Sequence, residues 1–284
     1  MPIATDGCGL GAALRALASQ IHPVFMLPPV AASLFGGLSG PGFSLLVATV
    51  HAIAVFCALY TAHVKDGYVD FYGREEDDDH PLTASGCRVA MALSTLGFAI
   101  ATVAVGLLVD SWAALLTLPG WLIGFHHAPQ LDTNPVTATA GYPAGIAFAL
   151  LGGYYVQSRT LTATILTLAT VFLIVLSGIK VVDDATDYEY DRSIQKRTVA
   201  VVLGPARAHQ VAFGLMGTGM AVVVATALTL PGVPPTGVLA AVAFGVVAVA
   251  ARDADPELAT KLLIRGSYVF LAVLVGAVWL RPLA

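Results

Sequence analysis

About nine times along this chain of 284 residues the sequence runs for close to the length of a bilayer crossing with almost no charge, near 14 to 37, 42 to 63, 87 to 109, 111 to 127, 139 to 157, 160 to 182, 208 to 230, 236 to 251 and 263 to 281. A hydrocarbon core about 30 Å thick takes about 20 apolar residues per helix. Only helices or closed barrels satisfy their backbone polar groups in lipid. Spans of this length therefore point to an all-α polytopic membrane protein of about nine transmembrane helices around a central cavity. Composition agrees: 11% of residues are charged and 57% hydrophobic, against about 25% charged in an ordinary soluble domain. Residues 14 to 37 read as a retained first span, because no basic segment precedes them and no clean small-residue cleavage site follows. Residues 1 to 284 read as a single transmembrane domain.

Lys and Arg set the expected orientation. With a cytoplasmic N-terminus, Arg15, Lys65, Arg74, Arg88, Lys180, Arg192, Lys196, Arg197, Arg207, Arg252, Lys261 and Arg265 all fall at cytoplasmic ends, leaving Arg159 and Arg281 outside. Cys8, Cys57 and Cys87 form no CxxC pair and no ligand spacing with His, which gives neither a disulfide framework nor a zinc site. Nucleic acid is not an expected partner; membrane lipids are.

Of 18 acidic residues, seven lie between His63 and Gly86 and five between Asp183 and Gly204. Both segments begin as the last turns of apolar spans, so helical spacing applies to their first carboxylates. Asp66 and Asp70 are four apart and share a face; Asp184, Asp187 and Asp191 follow i, i+3, i+7 along one stripe, and Asp183 pairs with Asp187. Like charges at such positions sit about 5 to 6 Å apart. At an effective dielectric near 20 each close pair costs roughly 3 kcal/mol. Folding alone gives nothing back for that repulsion, whereas Mg2+ does: it is commonly held by one or two carboxylates plus substrate phosphates. Arg74, Lys180, Lys196 and Arg197 stand nearby to offset the remaining charge of a diphosphate. The run from Glu75 to Asp79 reads as a solvated loop.

The recurrence of an acidic stripe after the second and the sixth span suggests an internal duplication, spans 1 to 4 matching 5 to 8, with a ninth added. Two facing copies would converge on one site at the cytoplasmic helix ends, above apolar helices able to enclose a hydrocarbon tail. Mid-span regions hold almost no ionisable group, His51 being the clear one, which argues against an ion or proton pathway.

At these residues the chain resembles the UbiA superfamily of intramembrane prenyltransferases. Its second motif, DxxDxxxD with a basic pair and a Thr before an apolar stretch ending in LG, is matched by Asp184, Asp187, Asp191, Lys196, Arg197, Thr198, Leu203 and Gly204. Its first motif is matched by Asp66 and Asp70 and by the HPLTASG tail, while Ala62 and His63 stand where the family usually has Asn and Asp, and His80 where it usually has Arg. Phe125 to Pro129 stands where a Tyr-Ser-x-Pro-Pro type sequence is common. The resemblance implies a catalytic set of Asp66, Asp70, Asp187 and Asp191, with Asp184 in support, holding Mg2+ on the diphosphate of an isoprenyl donor. It implies transfer of the prenyl group to a lipophilic acceptor within the membrane. His63 or His126 is the candidate that removes a proton, since imidazole titrates near neutral pH. Tyr68, Phe125 and Tyr155 are candidates for cation-π support of a carbocation. Two alternatives stay open: a terpene cyclase or diphosphate lyase using the same site without an acceptor, and a transporter.

Overall fold

The computed structural model describes residues 2–76, 78–194 and 196–280. Asp77 of the acidic run and Arg281 of the charge asymmetry lie outside the described residues. The chain begins with a short helix α1 (Gly9–Ala18), followed by α2 (Pro23–Leu38), α3 (Leu45–Val69), α4 (Ala84–Leu108), α5 (Ser111–His126), α6 (Pro135–Ser158) and α7 (Ala163–Asp184). Two short helices, α8 (Tyr188–Ser193) and α9 (Val199–Leu203), cross one end of the bundle before α10 (Pro205–Thr229), α11 (Val238–Arg252) and α12 (Pro256–Trp279). Among the described residues the extended pairing is a lone antiparallel bridge, Ala4 to Leu82, which straps the N-terminal segment to the connection between α3 and α4.

Seven helices are long and apolar enough to cross a membrane singly, and α1 and α2 pass the same test only as a pair bent by 68°. The protein is an integral membrane protein of the all-α class. Helix α5, at 16 residues, is shorter but lies alongside α3 and α6 as the remaining long helix.

The first span differs from the expectation that residues 14 to 37 form one helix. The chain breaks after Ala18, and α2 sets off at 68° to α1 with Pro23 in its first turn, where the missing N–H costs nothing. Helix starts elsewhere are written in their caps. Thr83, Asp110, Asn134, Thr162 and Asp255 each accept a hydrogen bond from a backbone N–H of the turn that follows.

Packing relies on small residues. A Cβ at Gly36 would collide with the Leu150 carbonyl, and one at Gly153 with that of Ser33, so α2 and α6 lie backbone to backbone. A buried core of Phe35, Leu150, Leu168, Phe172, Phe244 and Phe270 joins α2, α6, α7, α11 and α12. Leu93, Leu96, Ile100, Val103 and Leu107 form an exposed apolar stripe down α4, and Leu239, Val242, Val246 and Val249 do the same on α11. Faces like these match lipid rather than water.

Candidate functional site

The C-terminal ends of α3, α5 and α7 meet at one end of the bundle and surround the mouth of a cavity of about 570 Å³. Its walls come from α2, α3, α5, α6, α7 and α12, with Phe98 of α4. Helix α3 supplies one complete face at spacings of three and four residues, from His51 through Val55, Ala58, Leu59, Ala62, His63 and Asp66 to Asp70. Polar groups gather at the mouth: Asp66, Asp70 and Asp79 from the α3 side, Lys180 and Asp183 from α7, with Gln20, His22 and His80 between them. Below that rim the lining is mainly apolar, including Pro28, Pro29, Phe98, Phe148 and Leu176.

The carboxylates and bases are already engaged with one another. Past Val69 the last turn of α3 widens to a π-turn, Asp70–Arg74. There Arg74 Nη1 lies 3.5 Å from Asp70 Oδ1 and 3.8 Å from Glu76 Oε1, while Nη2 donates to Asp132 Oδ2 at 2.5 Å. On α7, Lys180 Nζ donates to Asp184 Oδ1 at 2.5 Å and to Asp183 Oδ2 at 3.0 Å. Lys196 Nζ lies 3.7 Å from the buried Asp191.

The expected i, i+3, i+7 stripe is not one helix. Helix α7 ends at Asp184, the chain turns through Ala185 to Asp187, and Asp191 sits in α8, its N–H bonded to the Asp187 carbonyl at 2.8 Å. Asp184 and Asp191 are therefore buried while Asp187 is exposed, so the three carboxylates approach the site from two elements. Burial pushes the Asp191 carboxyl above the usual carboxylate range; Lys196 opposes that shift, while Asp184 and Asp187 add to it.

The structure brings Asp66, Asp70, His63 and Lys180 onto the cavity wall. Asp184, Asp191, Arg74 and Lys196 stand behind that rim, and Arg197 is exposed, its backbone N–H donating to the Asp132 carbonyl at 3.3 Å. His126 is exposed and outside the cavity, while its neighbour His127 lines it. None of Tyr68, Phe125 and Tyr155 lines the cavity. Phe125 carries the Lys65 ammonium 4.2 Å above its ring, and Tyr155 donates to Asp110 at 3.4 Å toward the far end of the bundle. The aromatic lining is instead Phe25, Phe98, Tyr142, Phe148 and Tyr268.

Asp132 escaped the sequence reading, and His80 entered it only as a departure from the first motif. Asp132 holds Arg74 from across the mouth, and its only sequence signal was a lone carboxylate in the connection between two apolar spans. His80, at the end of a stretch read as solvated loop, is 6% exposed and lines the cavity, and its Nδ1 bonds Leu82 at 2.9 Å. Gly67 makes the room: a Cβ there would stand 2.8 Å from His80 Nε2. Thr198 and Gly204 of the second motif have local structural roles. The Thr198 side chain caps α9, and Gly204, at φ +80, turns the chain into α10.

These residues fit a hard divalent cation. Among the described residues the buried Asp184 Oδ2 has no hydrogen-bond partner and the buried Asp70 Oδ1 has only the Arg74 guanidinium, at 3.5 Å; a buried carboxylate oxygen left so is costly unless a further cation meets it. Among the described residues no three His, Cys, Asp or Glu side chains are already gathered as a ligand set. That arrangement suits Mg2+ better than an all-protein cage, since Mg2+ keeps waters and takes phosphate oxygens as ligands.

Three solved structures share the fold. One, described for digeranylgeranylglyceryl phosphate synthase in membranes, has a TM-score of 0.73 at 13% identity, covering 95% of this chain and 98% of that one. A UbiA homolog from Archaeoglobus fulgidus bound to GPP and Mg2+ has a TM-score of 0.70 at 16% identity, over 94% and 99% of the two chains. The apo UbiA homolog from Aeropyrum pernix K1 has 0.69 at 16% identity, over 90% and 97%. No curated protein matches the chain. The UbiA prenyltransferase family matches residues 25–274, and the chain belongs to that family.

Proposed function

We propose that this protein transfers a prenyl group from an allylic isoprenyl diphosphate to a lipophilic acceptor inside the membrane, with Mg2+ at the diphosphate. The observation that carries the reading is the cavity itself: a mainly apolar chamber with carboxylates and a lysine from two helices, α3 and α7, on its polar rim. A donor with a charged head and a hydrocarbon tail matches that division. The Archaeoglobus fulgidus homolog, bound to GPP and Mg2+, has the same fold.

In this reading Asp66 and Asp70 on one side, and Asp184, Asp187 and Asp191 on the other, would hold the metal ions. Mg2+ bound there would supply positive charge to the diphosphate, which departs with the electron pair of the allylic C–O bond. Lys180, Lys196, Arg74 and Arg197 supply the remaining positive charge, Lys180 from the cavity wall and Arg74 by leaving Asp132. The apolar walls keep water from the allylic cation, and Phe25, Phe98 and Phe148 offer it ring faces. His63, on the wall one turn below Asp66 and packed edge-on to His22 at 5.1 Å, accepts the proton that the acceptor loses on forming its new bond. The distribution of Lys and Arg puts the acidic end, with the N-terminus, on the cytoplasmic side.

Detergent-purified protein incubated with allylic diphosphates, Mg2+ and candidate acceptors, followed by mass spectrometry, tests the reading. Diphosphate release that requires both Mg2+ and Asp187, lost in Asp187→Ala, is the expected result. Failure to bind or consume any donor would refute it. A cyclised or eliminated product formed without acceptor would reassign the same site to cyclase or lyase chemistry.

A further inference from the structure

We infer that His51 is the floor of the donor pocket and sets the longest hydrocarbon chain the protein accepts, a reading that rests on the prenyl-transfer function proposed above. Helix α3 carries both ends of this ruler. Asp66 and Asp70 stand at the mouth, and following the same face downward the last side chain on the cavity wall is His51. At 1.5 Å per residue it lies about 22 Å below Asp66.

The ring is fixed there. His51 is 1% exposed, and its Nδ1 shares a 2.7 Å hydrogen bond with Ser33 Oγ of α2. Its Nε2 faces Gly152 of α6, where any Cβ would collide with it. Among the described residues no hydrogen bond reaches Nε2. Three helices thus hold one imidazole at the deepest point that α3 contributes to the wall of a mainly apolar chamber, and neither the Ser33 side nor the Gly152 side leaves it room to swing aside.

The distance gives a chain length. An extended polypeptide advances at most about 3.5 Å over the three bonds of each residue, or about 1.2 Å per bond. A four-bond isoprene unit on the same zigzag takes about 5 Å, so at most about four units fit between the carboxylates and the ring. One further unit must displace the imidazole, and a hydrocarbon pocket discriminates by roughly 10–200-fold for a single misfit methylene.

The experiment compares kcat/KM for farnesyl, geranylgeranyl and geranylfarnesyl diphosphates, of three, four and five units, in wild type, His51→Ala and Gly152→Ala, each checked for a monodisperse folded species. Wild type is expected to lose roughly tenfold or more on going from four units to five. His51→Ala removes the floor and is expected to restore most of that loss. Gly152→Ala, which leaves His51 in place but pushes its ring toward the cavity, is expected to move the drop to shorter donors. Equal use of four and five units by wild type overturns the assignment even if neither variant folds, because the tail then leaves through the side of the cavity. So do length profiles unchanged in both folded variants. A wild type that neither binds nor consumes any of the three donors refutes prenyl transfer itself, and the floor assignment with it.

Discussion

Asp191 shows what a residue gives up to serve this site. It is buried beside Lys196, and burial holds its carboxyl above the usual range. A group whose folded pKa is raised favours the fold while protonated, and that contribution is lost as pH rises through the folded value. Once pH passes that value the ionised Asp191 therefore weakens the metal-free protein. Asp191→Asn is expected to raise the melting temperature without Mg2+ at pH 7, the gain shrinking as pH falls into the range where wild-type Asp191 takes up its proton. The same variant is expected to lose roughly 10–100-fold in Mg2+-dependent activity. A melting temperature lowered at pH 7 would show that the pairing with Lys196 outweighs burial. The pattern of acids was legible in the sequence, because like charges at helical spacing are hard to explain otherwise. Their division between α7 and α8 was not, because the turn from Ala185 to Asp187 carries no Gly or Pro to announce it. The choice of His126 missed its neighbour His127 for a related reason: α5 ends between them and passes into a π-turn, so straight-helix phasing gives no guide to which ring faces inward.

Helix α2 carries the clearest element-scale argument. Pro28 and Pro29 have no N–H to give to the carbonyls four residues earlier, those of Val24 and Phe25. Tyrosines from two other helices replace the lost donors: Tyr268 Oη of α12 donates to Val24 at 2.5 Å, and Tyr142 Oη of α6 to Phe25 at 2.6 Å. Adjacent prolines, which in isolation argue for a broken helix, here become the anchor that joins α2 to α6 and α12 beside the cavity. Tyr142→Phe and Tyr268→Phe are each expected to cost about 1–3 kcal/mol by leaving a carbonyl unmet in a nonaqueous setting. Thermal unfolding in detergent reads this as a lower midpoint, and unchanged midpoints in both variants would mean that water already serves these carbonyls. The apolar runs made nearly all the long helices readable. The break between α1 and α2 was not readable, because Ser19 to His22 is too short an interruption to stand out in a hydropathy profile.

At the scale of the whole molecule, the two halves of the acidic rim belong to helices far apart in sequence. The ion pairs at the mouth stay mostly within each half: Lys180 with Asp183 and Asp184, Lys196 with Asp191, and Arg74 with Asp70, Glu76 and Asp132. Among the described residues the buried Asp184 Oδ2 on the α7 side has no partner, and the buried Asp70 Oδ1 on the α3 side has only its 3.5 Å ion pair with Arg74 and no hydrogen bond. A diphosphate with its metal ions would be the element that ties the halves together, and neither component alone has the charge to do so, since the anion meets carboxylates and the cation lacks phosphate oxygens. Stabilisation should therefore be conditional. Mg2+ with a nonhydrolysable allylic diphosphate analogue at about 100 times its Kd is expected to stabilise the fold by about 2.7 kcal/mol, a shift of several degrees. Either component alone is expected to give much less. Asp70→Ala and Asp184→Ala remove ligands from opposite halves, and each should abolish most of the joint shift. A full shift from the analogue without Mg2+ would mean that Arg74 and the lysines bind the diphosphate unaided, and that the carboxylates serve to position those bases rather than to hold metal.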